Sequence, residues 1–142
     1  MSYDLAVKNG DLVLQNSDLQ KVVDTDKLVQ DILKICLTNA GADPMNPWYG
    51  SFISRSLVGS VLDNSITVQL AQAQLQNAIE NLKNLQAAQV RSFQKISPAE
   101  QISAILSVDV VRNTTDPRIF TVSIKVLSKA LTPVSTSFNI TL

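Results

Sequence analysis

The sequence predicts a mixed α+β fold: an N-terminal β-hairpin, two main helices of which one is long, and a C-terminal three-stranded antiparallel sheet packed on the long helix. Three observations support this prediction. Residues 63–93 carry apolar side chains every three or four positions and contain neither glycine nor proline, which is typical of an amphipathic helix. Residues 104–142, apart from their turns, alternate apolar and polar side chains, which is typical of strands with one wet face. Near the start of the sequence, Asn9-Gly10 separates two short apolar runs, the strongest short-range signal for a hairpin.

The first forty residues are predicted to form this hairpin, a short strand and a helix. The apolar runs on either side of Asn9-Gly10 are expected to pair, because both central residues of a type I′ turn need positive φ. Residues 19–23 are predicted to form a third short strand, and residues 27–38 a helix. A side-chain oxygen just before this helix is expected to cap it by accepting a backbone N–H, from Asp24, Thr25 or Asp26. Its inward-facing residues are predicted to be Leu28, Ile32, Ile35 and Cys36.

The long helix is the largest predicted element. One apolar stripe runs along it: Val68, Ala71, Leu75, Ala78, Ile79, Leu82 and Leu85. A short polar side chain is expected to cap its start, from Asp63, Asn64 or Ser65. At about 1.5 Å per residue the helix spans roughly 45 Å. This length exceeds twice the radius of gyration of about 14 Å expected for a compact domain of this size, so part of the helix is expected to extend past the domain or to be covered by another chain.

The opposite face of the long helix is rich in uncharged amides: Gln69, Gln72, Gln74, Gln76, Asn77, Asn81, Asn84, Gln86 and Gln89. Exposed helices usually carry oppositely charged pairs four residues apart, whereas this one has few charges, chiefly Glu80, Lys83 and Arg91. Amides can both donate and accept hydrogen bonds. Two interpretations remain open: a solvated polar face, or a face packed within a multi-chain assembly, with Gln72 and Gln76 as candidate partner contacts.

Residues 41–59 are predicted to form an ordered loop. The loop contains two prolines, the only tryptophan of the chain and one of its two tyrosines. Its aromatic segment, Pro47-Trp48-Tyr49, is expected either to plug one end of the core or to anchor a partner, since aromatic side chains bury large areas while keeping a polar edge. Arg55 follows within reach and can pair with an aspartate or contact a neighbouring chain.

The C-terminal part of the chain is predicted to begin with a helical turn at Ser97-Pro98-Ala99-Glu100, where Pro and Glu occupy favourable positions after a serine cap. Three strands follow, with turns at residues 113–117 and 129–133. One face is expected to be buried, with Ala104, Leu106, Val108 and Val110 in the first strand, Phe120, Val122, Ile124 and Val126 in the second, and Val134, Thr136, Phe138, Ile140 and Leu142 in the third.

The last predicted strand carries no charged side chain. Proteins usually protect the edges of sheets with charges, prolines or bulges, because an exposed edge can pair with another chain. The strand is therefore either central in the sheet or an edge that accepts a strand from a partner. In the second case Phe138, Ile140 and Leu142 are candidate partner-binding residues.

Composition excludes several classes of function. The chain has 142 residues, expected to form one domain over 1–142, and twelve basic residues balance twelve acidic ones, so no basic surface is expected for nucleic acid. No apolar run has the length of a membrane span, and the first residues do not resemble a signal peptide. The only cysteine, Cys36, is expected to be a buried apolar residue in a protein made in a reducing cytoplasm.

The chain is predicted not to be an enzyme and to need no cofactor or metal. It has no histidine, so neither a histidine-activated nucleophile nor a histidine metal ligand can form. A pair of carboxylates about 5 Å apart is the remaining possibility. The only glutamates, Glu80 and Glu100, are expected on polar helical faces. Asp43 and Asp63, near the aromatic loop, are the best alternatives, although aspartates at turns are explained by local backbone bonding.

The order of these elements resembles the small baseplate wedge proteins of contractile phage tails, also known as sheath initiators. The resemblance is carried by the opening hairpin, Asp4-Leu5-Ala6-Val7-Lys8-Asn9-Gly10-Asp11-Leu12-Val13, by the aromatic-glycine loop, Pro47-Trp48-Tyr49-Gly50-Ser51 with Leu57-Val58-Gly59, and by the long helix and C-terminal sheet. It covers nearly the whole chain. Many members carry Glu-Pro-Arg after the long helix, and this triplet is absent from residues 90–100.

The resemblance implies a structural role. Such a protein would belong to the baseplate of the virion, be assembled in the cytoplasm of the bacterial host, and be present in multiple copies in a hexameric assembly. Its implied partners are baseplate wedge proteins, the tail sheath protein, and tail tube or hub proteins, and its C-terminal sheet would start sheath polymerisation by strand addition. The alternative is a soluble adaptor or regulator of the same fold that binds a single partner through its long helix.

Overall fold

The computed structural model describes residues 2–57 and 64–141. Its N-terminal part consists of six two-residue strands that pair as three antiparallel ladders. In chain order the strands are β1 (Asp4–Leu5), β2 (Val7–Lys8), β3 (Asp11–Leu12), β4 (Leu14–Gln15), β5 (Asp18–Leu19) and β6 (Lys21–Val22). The pairs are β1 with β6, β2 with β3, and β4 with β5.

The predicted hairpin is confirmed. Val7 pairs with Leu12 around Asn9 and Gly10, which have φ values of 54° and 82°. The single third strand predicted over residues 19–23 is wrong. Its residues divide between two ladders, because a second tight turn with positive φ at Asn16 and Ser17 folds β5 back onto β4, while β6 returns to β1.

A ring of three backbone hydrogen bonds joins the three ladders. Ala6 N–H donates to the Gln20 carbonyl over 2.8 Å, Gln20 N–H to the Val13 carbonyl over 2.9 Å, and Val13 N–H to the Ala6 carbonyl over 3.0 Å. Ladders of two residues are too short to be stable alone. The ring links them into one unit, and Ala6 is buried at its centre.

Helix α1 (Asp24–Leu37) follows, and its four predicted inward residues are all buried. The predicted cap is wrong. Val23 occupies the cap position and no side chain caps the helix. One Asp24 carboxylate oxygen instead accepts a hydrogen bond from the Ser97 hydroxyl over 2.7 Å, which ties the start of α1 to the segment that leads into the C-terminal sheet.

Within the described residues, the predicted loop contains a helix that the sequence pattern did not indicate, α2 (Ile53–Leu57). Residues 58 and 59 of the predicted loop lie outside the described residues. Ile53 and Leu57 are buried on its inner side, four residues apart as on one helix face. Ser51 holds the loop to the end of α1, with its hydroxyl on the Cys36 carbonyl over 2.6 Å. Gly50 has a φ of 114°, and a Cβ atom there would lie 2.6 Å from the Thr38 carbonyl oxygen, so glycine is required.

The long helix α3 (Asn64–Arg91) has the predicted apolar stripe. Five residues of this stripe are buried, and its other two, Val68 and Leu85, are partly buried against the same core. Its 28 residues correspond to a length of about 42 Å. After Gln86 no residue of the helix is buried. The predicted cap residue Asp63 and the Val58-Gly59 pair of the resemblance lie outside the described residues.

The chain then makes the predicted helical turn, a 3-10 turn at Pro98–Glu100, and enters the sheet formed by β7 (Ile102–Arg112), β8 (Ile119–Ser128) and β9 (Pro133–Thr141). The sheet is antiparallel with the order β7-β8-β9. Helix α3 packs against β7 and helix α1 against β9, so both helices cover the same apolar core. The predicted α+β fold class is confirmed.

The alternation predicted for the sheet holds in β8 and β9 but fails in part of β7. Val108 and Val110 are buried, whereas Leu106 is 54% exposed. The pairing of β7 with β8 shifts register between Ile102 and Ala104 and again between Ile105 and Ser107. Each shift reverses the sides to which the side chains point, so Ile105 packs on the core in place of Leu106.

One amide assigned to the polar face of α3 faces inward. Gln86 is buried; its Nε2 donates to the Glu100 carbonyl over 2.7 Å, and its Oε1 accepts from the Ile102 N–H over 2.9 Å. These main-chain groups lie where the 3-10 turn meets β7, at which a buried and unpaired group would be costly. Gln86 therefore satisfies the junction between the long helix and the sheet.

A second buried glutamine, Gln30 of α1, holds the N-terminal ladders. Its Nε2 donates to Asp4 Oδ2 and to the Leu5 carbonyl, both over 2.8 Å, and its Oε1 accepts from the Val7 N–H over 2.9 Å. Lys34 also donates to Asp4. Burial alone would raise the pKa of Asp4, but the hydrogen bonds from Lys34 and Gln30 outweigh it and lower that pKa.

Replacing Gln86 by leucine tests the junction. Gln86→Leu keeps a side chain of similar size but leaves the Ile102 N–H and the Glu100 carbonyl unpaired, so the free energy of unfolding is expected to fall by about 2–4 kcal/mol, since each such group costs roughly 1–3 kcal/mol. Urea denaturation followed by circular dichroism measures this. The control is Gln76→Leu on the exposed face of the same helix, and equal losses in both variants would contradict the role of Gln86.

Asp4 is expected to make the fold sensitive to acid. Because its pKa in the folded chain lies below the unfolded value of about 3.9, its ionised form stabilises the fold above that pH, and this contribution is lost as the pH falls through the folded pKa. Asp4→Asn should therefore lose roughly 1 kcal/mol at pH 7 and show a weaker further loss between pH 5 and pH 3 than the unmodified chain. Urea midpoints across this range measure the effect, with Asp109→Asn, at an exposed position, as the control. Parallel pH profiles for all three proteins would contradict the prediction.

Candidate assembly surfaces

The strand β9 lies at an edge of the sheet. Among the described residues it pairs with β8 alone, so the interpretation of this strand as central is wrong. The pairing with β8 runs without a register shift over nine residue pairs, from Ile119 with Thr141 to Leu127 with Pro133. The edge is therefore free of bulges over the full length of the strand.

The free edge presents main-chain hydrogen-bonding groups at every second residue. The Ser128 N–H donates to the Thr132 carbonyl over 3.0 Å, which makes this pair a hydrogen-bonded one. In an antiparallel ladder hydrogen-bonded and non-hydrogen-bonded pairs alternate. The residues of β9 that direct their N–H and C=O groups away from β8 are consequently Ser135, Ser137 and Asn139.

The opposite edge, on β7, is protected in ways that β9 is not. Its two register shifts interrupt the edge, and both Asp109 and Arg112 lie on this strand. The Arg112 guanidinium lies 5.3 Å from the centre of the Phe120 ring, and its Nε donates to the Pro117 carbonyl over 2.6 Å. Bulges and charged side chains are the usual protection of an edge. Since β9 has neither, and its one proline, Pro133, is its first residue, it is the edge suited to accept another strand.

Phe138 and Ile140, predicted as partner-binding residues, are partly buried and pack against the core. They point to the helix side of the sheet, and Ser137 and Asn139 to the other. Leu142, the third predicted residue of this strand, lies outside the described residues.

The aromatic loop forms a second surface, together with α3. Trp48 is 43% exposed and Phe52 is 45% exposed, while Tyr49 is partly buried against the core. The Trp48 and Tyr49 rings are 6.1 Å apart and nearly perpendicular, a favourable edge-to-face contact. Of the two rings, Tyr49 therefore packs on the end of the core, and Trp48 is the more exposed one. Pro47 is exposed beside them.

An open cavity of about 350 Å³ lies between the aromatic loop and the amide face of α3. Its lining combines aromatic, amide and carboxylate side chains with the backbone of the loop: Trp48, Gly50, Ser51, Phe52, Gln74, Asn77, Ala78, Glu80 and Asn81. The Asn81 amide also donates to the Trp48 carbonyl over 3.4 Å. We call these residues the aromatic–amide surface.

The predicted helix contacts, Gln72 and Gln76, do not belong to this surface. At about 3.6 residues per turn they project from the opposite flank of α3. Gln72 is partly buried and Gln76 is exposed, but neither lines the cavity. The residues that do, Gln74, Asn77 and Asn81, follow the spacing of one helix face. That spacing was present in the sequence and would have selected them. Arg55 extends from α2 with its guanidinium 5.7 Å from the centre of the Phe52 ring, a cation–π distance.

The ionisable side chains considered for catalysis have distinct environments where they fall within residues 2–57 and 64–141. The Asp43 carboxylate caps its own turn, accepting from the Asn46 amide over 3.0 Å and from the Met45 N–H over 2.9 Å; these bonds lower its pKa, whereas a general acid needs a raised one. Glu80 is paired with Lys83 over 3.6 Å. Burial raises the pKa of the Cys36 thiol to about 12, which keeps it unreactive.

Glu100 differs from the prediction, because it is fully buried rather than on a polar face. Its Oε2 accepts from the Ser2 hydroxyl, and its Oε1 has no hydrogen-bond partner among the described residues. Asp63, the other carboxylate considered for catalysis, lies outside the described residues.

The described part of the chain shows neither a metal-ligand cluster nor a membrane-spanning helix. Residues 2–57 and 64–141 contain no group of three or more Cys, Asp or Glu side chains arranged to hold a metal ion. None of the helices within these residues is both long and apolar enough to cross a membrane.

No family model matches the sequence, and no curated protein matches it. Among solved structures, the chain is similar to the crystal structure of a protein from Geobacter sulfurreducens described as a "putative tail lysozyme". The TM-score is 0.59 and the sequence identity 19%, over 93% of this chain and 96% of that one. The likeness spans nearly the whole of both chains, so the two proteins share a fold.

Two substitutions separate the roles of the neighbouring aromatic residues. Tyr49→Ala is expected to lower the free energy of unfolding by about 2–3 kcal/mol, since truncating a buried aromatic ring costs roughly 3–5 kcal/mol and Tyr49 is only partly buried. Trp48→Ala should cost about 1 kcal/mol, because much of that ring is in solvent. Urea denaturation of both variants measures the difference, and a larger loss for Trp48→Ala would show that Trp48 is the plug.

Proposed function

We propose that this chain is a structural component of a contractile phage tail baseplate, where it initiates polymerisation of the tail sheath by accepting a strand of a sheath subunit at the β9 edge. The observation that carries the proposal is the unprotected state of that edge. It is uncharged, nine residues long and free of register shifts, whereas β7 at the other edge has two register shifts and charged side chains. The shared fold with a protein named for a phage tail supports the same setting.

Strand addition suits a protein that must stay bound to the sheath while the sheath contracts. The outward N–H and C=O groups of Ser135, Ser137 and Asn139 provide binding that does not depend on the partner's side chains. Main-chain hydrogen bonds can therefore hold neighbouring chains together while the attached bodies rotate during contraction.

The aromatic–amide surface is the proposed site for docking on the wedge and on the tail tube or hub. Partly exposed aromatic rings are frequent anchors at interfaces, and uncharged amides cost less to bury than ions. Trp48 and Phe52 would supply the anchors, with Pro47 and Arg55 beside them. Gln72 and Gln76, on the opposite flank of α3, would offer a separate partner contact. The proposed location is the virion, in multiple copies of a hexameric baseplate assembled in the cytoplasm of the host.

The proposal includes no catalytic activity. The name of the similar structure mentions a lysozyme, and glycoside hydrolysis by a retaining enzyme needs two carboxylates about 5 Å apart, one with a raised pKa. Of the candidates within the described residues, Asp43 has a lowered pKa, Glu80 is ion-paired on the surface, and Glu100 is fully buried. The first two environments are not those of a general acid, and the third is closed to a substrate.

The β9 edge offers a sharp test, because proline can remove an outward N–H without breaking the sheet. The Ser137 N–H points away from β8, and proline is tolerated in edge strands at such positions. Ser137→Pro should keep the melting temperature within a few degrees but reduce sheath nucleation at least tenfold, since the ring also blocks the approach of a strand. Ser137→Ala, which keeps the N–H, should nucleate normally.

The readout is electron microscopy of purified sheath subunits and tail tube mixed with each variant. Sheath that starts only with the unmodified chain and with Ser137→Ala supports the proposal. Equal nucleation by Ser137→Pro would refute strand addition at β9. If none of the proteins nucleates sheath, and the chain binds a single partner 1:1 through α3, the adaptor alternative takes its place.

A further inference from the structure

A groove of about 460 Å³ opens beside the middle of β9. Three separate parts of the chain form it: the first N-terminal hairpin, the outer side of α1, and the centre of the edge strand. The lining residues that carry the argument are Val7 of the hairpin, Leu33 and Leu37 of α1, and Ser137 and Phe138 of β9. We call this the β9 groove.

The β9 groove is apolar where it meets solvent. Val7 is 43% exposed and Leu37 is 57% exposed, and Phe138 and Leu33 are each partly buried. Single apolar side chains on a surface are ordinary, but here residues from three segments converge on one concavity. The charged residue in its lining, Lys34, is bonded to Asp4, so the groove offers no free charge to a charged occupant.

The position of the groove specifies the kind of occupant. It lies against Ser137, the central residue of β9, whose N–H and C=O point outward. A chain that pairs with this edge therefore runs along the groove. Only an extended strand can bond main-chain groups that recur every second residue. Such a strand would direct alternate side chains toward α1, where Leu33 and Leu37 lie, and the others toward the side of Ser137 and Asn139.

The wall formed by the hairpin is held in place. Gln30 accepts a hydrogen bond from the Val7 N–H over 2.9 Å and donates to Asp4 and to the Leu5 carbonyl. These hydrogen bonds fix the hairpin on α1, and so the width of the groove, in the chain without a partner. A pre-formed groove lowers the entropic cost of binding.

We propose that the β9 groove is the specificity pocket of the strand-addition site, and that it receives a bulky apolar side chain from the middle of an uncharged strand of another chain. This inference rests on the proposed function for the existence of the added strand, and extends it by assigning the sequence class that the strand must have. The strand carries apolar residues at alternate positions on the α1 side, small polar residues on the other side, and a large apolar residue opposite Phe138, since residues directly opposite each other in a ladder point to the same face. The main-chain edge supplies pairing with any strand, and the groove selects among strands.

The test measures the affinity of fluorescently labelled sheath subunits by fluorescence anisotropy. Leu37→Lys places a charge in the groove at an exposed position near the C-terminal end of α1, where a cation is tolerated. It should weaken binding at least tenfold with an unchanged melting temperature. The matched control is Leu106→Lys, a similarly exposed leucine on β7, which should bind as the unmodified chain does.

Ser137→Pro, measured alongside, separates this inference from the proposed function. Loss of binding in both Leu37→Lys and Ser137→Pro supports the groove. Loss in Ser137→Pro alone overturns the groove and leaves strand addition intact. Loss in Leu37→Lys alone shows an occupant that is not a strand and overturns the assignment. No binding by the unmodified chain, or no loss in either variant, overturns both proposals.

Discussion

A sheet of three strands cannot close on itself, and the rest of the structure follows from this constraint. Within residues 2–57 and 64–141, β8 is the only strand of this sheet that is paired on both sides, so two edges must be protected or used. The helices α1 and α3 bury one face of the sheet against a common core, but burial of a face does not satisfy an edge. The bulges of β7 protect one edge at the cost of its regular alternation, and Leu106 is exposed as a result. The other edge remains regular.

Two of the three buried glutamines of the described chain, Gln86 and Gln30, hold this arrangement in place where irregular segments meet regular ones. Gln86 pairs main-chain groups at the entry to β7, and Gln30 pairs those of the N-terminal ladders. A fully satisfied buried amide costs little, whereas an unpaired one destabilises the fold. Both glutamines therefore fix the position of main-chain segments that are distant from them in the sequence. In particular, Gln30 sets the hairpin that forms one wall of the β9 groove, so the core and the proposed partner site depend on the same side chain.

Periodicity predicted the elements that bury a regular face. The stripe of α3 and the alternation of β8 each repeat over many residues, so local errors do not obscure them. The pattern of β7 failed because a bulge is not encoded by the period of the strand. The helix α2 was missed because five residues contain barely one repeat. The inward position of Gln86 had a signal, since it continues the stripe four residues after Leu82, but its polarity placed it with the amides of the opposite face.

The candidate sites were harder to predict, because they depend on tertiary arrangement. The absence of charge in the last strand was visible in the sequence, but the order of the strands was not, and that order makes β9 an edge. The groove likewise combines Val7, Leu37 and Phe138, which are far apart in the chain and have no pattern in common. Of the aromatic pair, the sequence could not assign Tyr49 to the core and Trp48 to the surface, since adjacent residues on a loop have no fixed period.

The most direct test of strand addition is the structure of the assembled tail by electron cryomicroscopy, at a resolution that traces the main chain around β9. We expect a strand of a sheath subunit hydrogen-bonded to Ser135, Ser137 and Asn139, with a bulky apolar side chain in the β9 groove. A β9 edge that faces solvent in the finished particle, or one covered by side chains without main-chain pairing, would contradict the central claim.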